Sequence, residues 1–175
     1  MKTALGLLAV ATFLVAPSRS ATQSAIFTGI QASADELSPE VQRFISRGDE
    51  LTGRMRFDAA AHAYARAADV ARREGHLPSG TTWKVATAHY LNGDPGAGAT
   101  ALDRLTDEAA RVGDLEVQAL SMYYAAWLDA KAGHKAEVAA RVARLEGLLR
   151  SPYMPVALRD QLSDWIKTSK EIAVK

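Results

Sequence analysis

The stretch "GDPGAGAT", Gly93 to Thr100, has the outline of a phosphate-binding loop. Against G-x-x-x-x-G-K-[ST], Gly93, Gly98 and Thr100 fit, and Ala99 stands where the lysine belongs. A working loop needs a strand before the glycines, a helix after them, a lysine for the β- and γ-phosphates, and an acidic residue after an apolar strand to hold magnesium. The preceding segment, "TTWKVATAHYLN", spaces Trp83, Ala86, Tyr90 and Leu91 as a helix does, so no strand is available. The stretch reads instead as a turn between helices: Gly93 ends the first, Asp94 caps the second, Pro95 opens it, and Gly98 sits where the two touch.

The other reactive side chains form no constellation either. His62, His76, His89 and His134 show no H-x-x-x-H spacing with acidic support; His89 falls at a packing position between helices, His62 on an outer face, and the other two in turns. There is no cysteine and no serine in a G-x-S-x-G turn. Adjacent carboxylates, Asp49 with Glu50 and Asp107 with Glu108, point different ways from a helix and read as solvated faces. No metal, cofactor or catalytic activity is expected.

The elements that position these residues are helical. Within the 48% hydrophobic share of the 175 residues, alanine dominates while β-branched and aromatic residues are sparse. The start, "MKTALGLLAVATFLVAPSRSA", has Lys2, an apolar run from Thr3 to Ala16, then Pro17 and small polar residues, the layout of a signal peptide over 1–20. The run is shorter than the roughly 20 apolar residues of a bilayer span. Cleavage after Ser20 would leave no permanent anchor and a secreted or periplasmic chain, with Ser18 and Ser20 supplying the small residues a signal peptidase needs. Without cysteine, an exported fold is held by packing alone. Removing residues 1–20 takes Lys2 and Arg19 from the 21 basic side chains and none from the 20 acidic ones. The near-neutral balance and export argue against nucleic acid as partner.

Residues 21–38 read as a flexible linker with one apolar island, "AIFTGI". From Ser38-Pro39 onward, turn signals divide a helical pattern into seven segments, 39–53, 57–73, 79–92, 96–111, 114–132, 135–150 and 154–169. Turns this short make consecutive helices antiparallel neighbours, so the fold class is all-α. The hairpins also repeat. "FISRGDELTGRMRFDAAAHAYARA" places Phe44, Gly48, Leu51, Ala60, Tyr64 and Ala67 at offsets 0, 4, 7, 16, 20 and 23. Thr82, Ala86, His89, Gly98, Leu102 and Leu105 take the same offsets in the second copy; Met122, Ala126, Asp129, Val138, Val142 and Leu145 take them in the third.

This pattern resembles the tetratricopeptide-repeat family over residues 39–150. The resemblance implies a right-handed array of about three helical hairpins, ended by a capping helix carrying Val156, Leu162, Trp165 and Ile166. The copies depart from the family in being 38 and 40 residues apart, against the usual ~34. Thr82 replaces a bulky first residue, with Trp83 beside it, and Asp129 falls where a large apolar side chain belongs.

In that family the first helix of each hairpin lines a concave groove, with ligand-facing positions at offsets 1, 5 and 8. Carried onto this chain they are Ile45, Asp49 and Thr52; Trp83, Thr87 and Tyr90; and Tyr123, Trp127 and Ala130. Trp83, Tyr90, Tyr123 and Trp127 would then form an aromatic stripe. It serves either as groove anchors or as core between adjacent first helices, and the island "AIFTGI" is a third possible occupant. The expected function is a non-catalytic module that binds a peptide segment of another envelope or secreted protein, with Asp49 and Lys131 as rim charges. The alternative is a carrier or sensor whose aromatics stack on a sugar, lipid or aromatic ligand.

Overall fold

Ser38 and Pro39 begin the first helix as their chemistry requires. The Ser38 Oγ accepts the Val41 amide at 3.3 Å and the proline ring occupies the first turn, where its missing N–H costs nothing. The computed structural model describes residues 38–173, with side chains to Lys167. The expected signal peptide, and the expected linker apart from Ser38, lie outside the described residues.

Among the described residues the chain is entirely helical: α1 (Pro39–Gly53), α2 (Phe57–Arg73), α3 (Ser79–Leu91), α4 (Pro95–Val112), α5 (Leu115–Ala132), α6 (Lys135–Leu149) and α7 (Val156–Ala173). The first six lie within one residue of their expected ends; the seventh starts two residues later and runs four further. It starts late because Met154 and Pro155 belong to the preceding turn, where the Met154 amide donates to the Ser151 carbonyl at 3.2 Å.

The phosphate-loop look-alike is a turn. Gly93 has φ +83°, the left-handed geometry that closes a helix. Its N–H donates to the Tyr90 carbonyl at 3.0 Å, and the Asp94 N–H donates to that of His89 at 2.9 Å. The Asp94 carboxylate then accepts the Ala97 amide at 2.9 Å and Pro95 opens α4, so one residue ends a helix and starts the next. Asp114 acts identically after Gly113, its carboxylate accepting the Val117 amide at 2.9 Å. At the end of α1 the left-handed position falls to Met55, with φ +58° and its side chain 76% exposed.

Backbone contact runs mainly between helices adjacent in the chain, most extensively between α4 and α5 and least between α6 and α7. Two glycines set the approach distances. A Cβ on Gly48 would lie 2.3 Å from the Tyr64 ring, and one on Gly98 would lie 2.8 Å from the Ala86 carbonyl oxygen. The apolar core follows the chain in stages. Val41, Ala67, Val70 and Ala71 join α1 to α2; Leu51, Ala60, Tyr64 and Val85 extend to α3; Ala86, Leu102, Leu105, Ala125 and Leu128 join α3, α4 and α5. On α2 and α4, Arg72 Nε meets Glu108 Oε1 at 2.8 Å and Arg104 Nε meets the same oxygen at 3.0 Å, while Asp69 pairs with Arg72 at 2.9 Å.

Asp129 occupies its apolar-type position as a buried charge, 2% exposed. Arg141 Nε of α6 donates to one carboxylate oxygen at 2.7 Å, and His134 Nδ1 lies 3.1 Å from the other. The same guanidinium reaches Asp103 of α4, so a short polar chain ties three helices where a hydrophobic contact was expected.

Two substitutions read this architecture directly. Met55→Gly relieves the left-handed backbone and raises stability by about 0.5–1 kcal/mol, net of the extra freedom glycine brings to the unfolded chain. Gly98→Ala forces a Cβ against the Ala86 carbonyl and lowers stability by about 1–3 kcal/mol. Urea unfolding of the two variants beside the parent checks both signs.

Candidate functional site

The absent Cβ of Gly48 leaves room for the Tyr64 ring of α2 to lie against α1. Tyr64 is 3% exposed, and its hydroxyl donates to Asp49 Oδ1 at 2.7 Å. That leaves the Thr52 hydroxyl, 3.1 Å away, to donate to the phenol oxygen. Burial, helped by the neighbouring Asp49 carboxylate, pushes the Tyr64 phenol up to about 12, so it remains a donor at any ordinary pH. From α3, Lys84 Nζ meets the same Asp49 oxygen at 2.6 Å and stands 5.2 Å over the centre of the Tyr64 ring. These four side chains, with Thr87, Ala88 and Leu91, line an open cleft of about 250 Å³ between α1 and α3.

Three of the residues singled out by repeat offset, Asp49, Thr52 and Thr87, meet in this cleft. Tyr64 entered the sequence reading as a packing residue only, and Lys84 did not enter it. Lys84 lies 35 positions beyond Asp49, three short of the 38-residue spacing that equates Asp49 with Thr87, so the offsets did not mark it. Ile45 sits elsewhere, partly buried against Val41, Ala67, Val70 and Ala71.

The aromatic candidates form two groups. Trp83 of α3 meets Tyr124 at 4.2 Å between ring centres, Tyr124 meets Tyr123 at 4.5 Å, and Tyr123 meets Trp165 of α7 at 4.3 Å, each edge to face. Tyr90 meets Trp127 at 5.2 Å, and Lys131 stands 5.2 Å over the Trp127 ring. Each aromatic pair adds about 0.5–1.5 kcal/mol beyond its buried area. Trp83, Tyr90 and Trp127 also pack against the cluster that contains Leu102, Leu105 and Leu128. All four stripe residues, Trp83, Tyr90, Tyr123 and Trp127, are partly buried, and each keeps some accessible surface. Burial pushes the Tyr123 phenol up to about 12, and raises that of Tyr124. Tyr124 and Trp165 were not among the stripe residues: adjacent or distant in sequence, they join it only through the rotation of α5 and the return of α7.

Among the described residues no group of three or more His, Asp or Glu side chains could hold a metal ion, and no helix is long and apolar enough to cross a membrane. No family model matches the chain, and neither a curated protein nor a solved structure matches it.

The two high phenols give an alkaline signature. A folded-state value near 12 for Tyr64 and Tyr123 lies above the unfolded 10.0. Their contribution is therefore complete below pH 10 and falls away as pH rises toward 12. Tyr64→Phe and Tyr123→Phe should each remove one late phenol from the ultraviolet titration of the native protein, and each should flatten the loss of stability in that window.

Proposed function

We propose that the helical unit is a tetratricopeptide-like array of three hairpins, α1–α2, α3–α4 and α5–α6, closed by α7. It acts as an exported, non-catalytic interaction module that binds a peptide segment of another envelope or secreted protein. The observation that carries this reading is the convergence of Asp49, Thr52 and Thr87 with Lys84 and Leu91 on one open cleft between α1 and α3. These are first helices of neighbouring hairpins, the surface such arrays use for ligands.

The size of the cleft favours a peptide. About 250 Å³ is below the roughly 300–1,000 Å³ of pockets that enclose a drug-sized molecule. It suits one side chain of an extended segment whose backbone lies across the opening. Thr87 and Leu91 stand one helical turn apart on α3, and both are exposed, so they offer a polar and an apolar contact to the same strand of ligand. The Trp83–Tyr124–Tyr123–Trp165 chain supports the reading in a different way, because it stiffens α3 against α5 and α7 and leaves the surface preformed.

A photoreactive residue placed at Thr87, in cells that export the protein, should crosslink to a discrete protein partner. The same residue at Arg104, on α4 and outside the cleft, should not. Introducing Leu91→Glu should reduce the Thr87 product at least fivefold without changing the helical circular-dichroism spectrum. Equal products from Thr87 and Arg104, or none from Thr87, would sink the reading.

A further inference from the structure

We propose that the cleft between α1 and α3 is a receptor for one basic side chain of the partner peptide, and that Lys84 occupies it in the free protein as a built-in competitor. The inference rests on the peptide-binding reading above and specifies the chemistry of the bound segment.

Every fixed group around the Lys84 ammonium is one that a cation seeks. Asp49 Oδ1 is 2.6 Å from Nζ, and the π face of Tyr64 lies 5.2 Å from it. Thr52 and Thr87 line the same cleft, the Thr87 hydroxyl donating to the Trp83 carbonyl at 2.9 Å. These groups hold one another in place without help from the lysine. The Tyr64 hydroxyl binds Asp49 at 2.7 Å, Thr52 binds the Tyr64 oxygen at 3.1 Å, and the tyrosine ring is wedged where a Cβ on Gly48 would have to stand. The carboxylate and the ring are thus set in place by bonds that do not involve Lys84.

Lys84 is poorly held. Its side chain is 44% exposed, that of Asp49 is 51% exposed, and an ion pair this open contributes little to stability. Four methylenes separate the charge from the α3 backbone, so the ammonium can turn into water without moving the helix. Once it leaves, the cleft presents a carboxylate and an electron-rich ring with no countercharge. An arriving lysine or arginine recovers both contacts and lays its aliphatic stem along Ala88 and the exposed Leu91. An acidic side chain gains less: it could pair only with the mobile Lys84, and it would face the anchored Asp49 at close range.

The experiment uses the exported chain and two capped amino acids, Nα-acetyl-lysine methylamide and Nα-acetyl-glutamate methylamide, titrated by nuclear magnetic resonance. The lysine probe should bind Lys84→Met at least fivefold more tightly than the parent, shifting the amides of Thr52, Thr87 and Leu91. Adding Asp49→Asn should abolish that gain, and the glutamate probe should bind neither protein. Lys84→Gln serves as a second charge-free variant, with the same expected gain, should the methionine variant fold poorly. The proposal is overturned if removal of the Lys84 charge leaves lysine affinity unchanged, if Asp49→Asn does not reduce it, or if glutamate binds as well as lysine. Partner crosslinking from Thr87 without this selectivity would overturn the basic-side-chain inference and leave the peptide-binding reading intact. Lysine selectivity without a crosslinked partner would do the reverse.

Discussion

Much of the structure follows from one close contact, the Tyr64 ring laid against Gly48. A side chain at position 48 would collide with the ring, so the glycine sets how near α1 and α2 can come. The same placement turns the Tyr64 hydroxyl toward Asp49, which then receives Lys84 from the neighbouring hairpin. A packing requirement within one hairpin thereby fixes a polar arrangement between two. The ring does apolar work with its faces and polar work at its tip, which is why a residue recognised from the sequence as a spacer also lies in the cleft.

Each helix packs chiefly on its neighbours in the chain, and the apolar core passes along the helices in stages. The last helix is the exception in kind. Its backbone contact with α6 is slight, and it is held by side chains: Leu158, Leu162 and Ile166 are buried, Trp165 rests on Tyr123, and Arg159 bonds the carbonyls of Ser151 and Met154. Trp165 reaches past α6 to Tyr123 of α5, so α7 ends the aromatic chain that starts at Trp83.

The helices were legible because their punctuation is local. Ser38-Pro39, Gly93-Asp94-Pro95 and Gly113-Asp114 carry within two or three residues all the chemistry that stops one helix and starts another. The cleft was legible in part: repeat offsets marked Asp49, Thr52 and Thr87, but Lys84 meets Asp49 through the rotation between hairpins, which no periodicity records. Asp129 shows the same limit. It looked misplaced among apolar positions because its partner, Arg141, lies 12 residues on, across a turn. The aromatic stripe was half visible for a related reason, since Tyr124 and Trp165 complete it from a neighbouring position on α5 and from the last helix.

The joints between helices differ in how their ends are hydrogen-bonded. At 92–94 and 113–114 the aspartate whose N–H closes one helix also caps the next with its carboxylate, so two helix ends share one residue. The longer connections, 74–78 and 150–155, have no such shared residue. A change at Asp94 or Asp114 therefore strikes two helix ends at once, whereas a change in either longer connection strikes one end at a time.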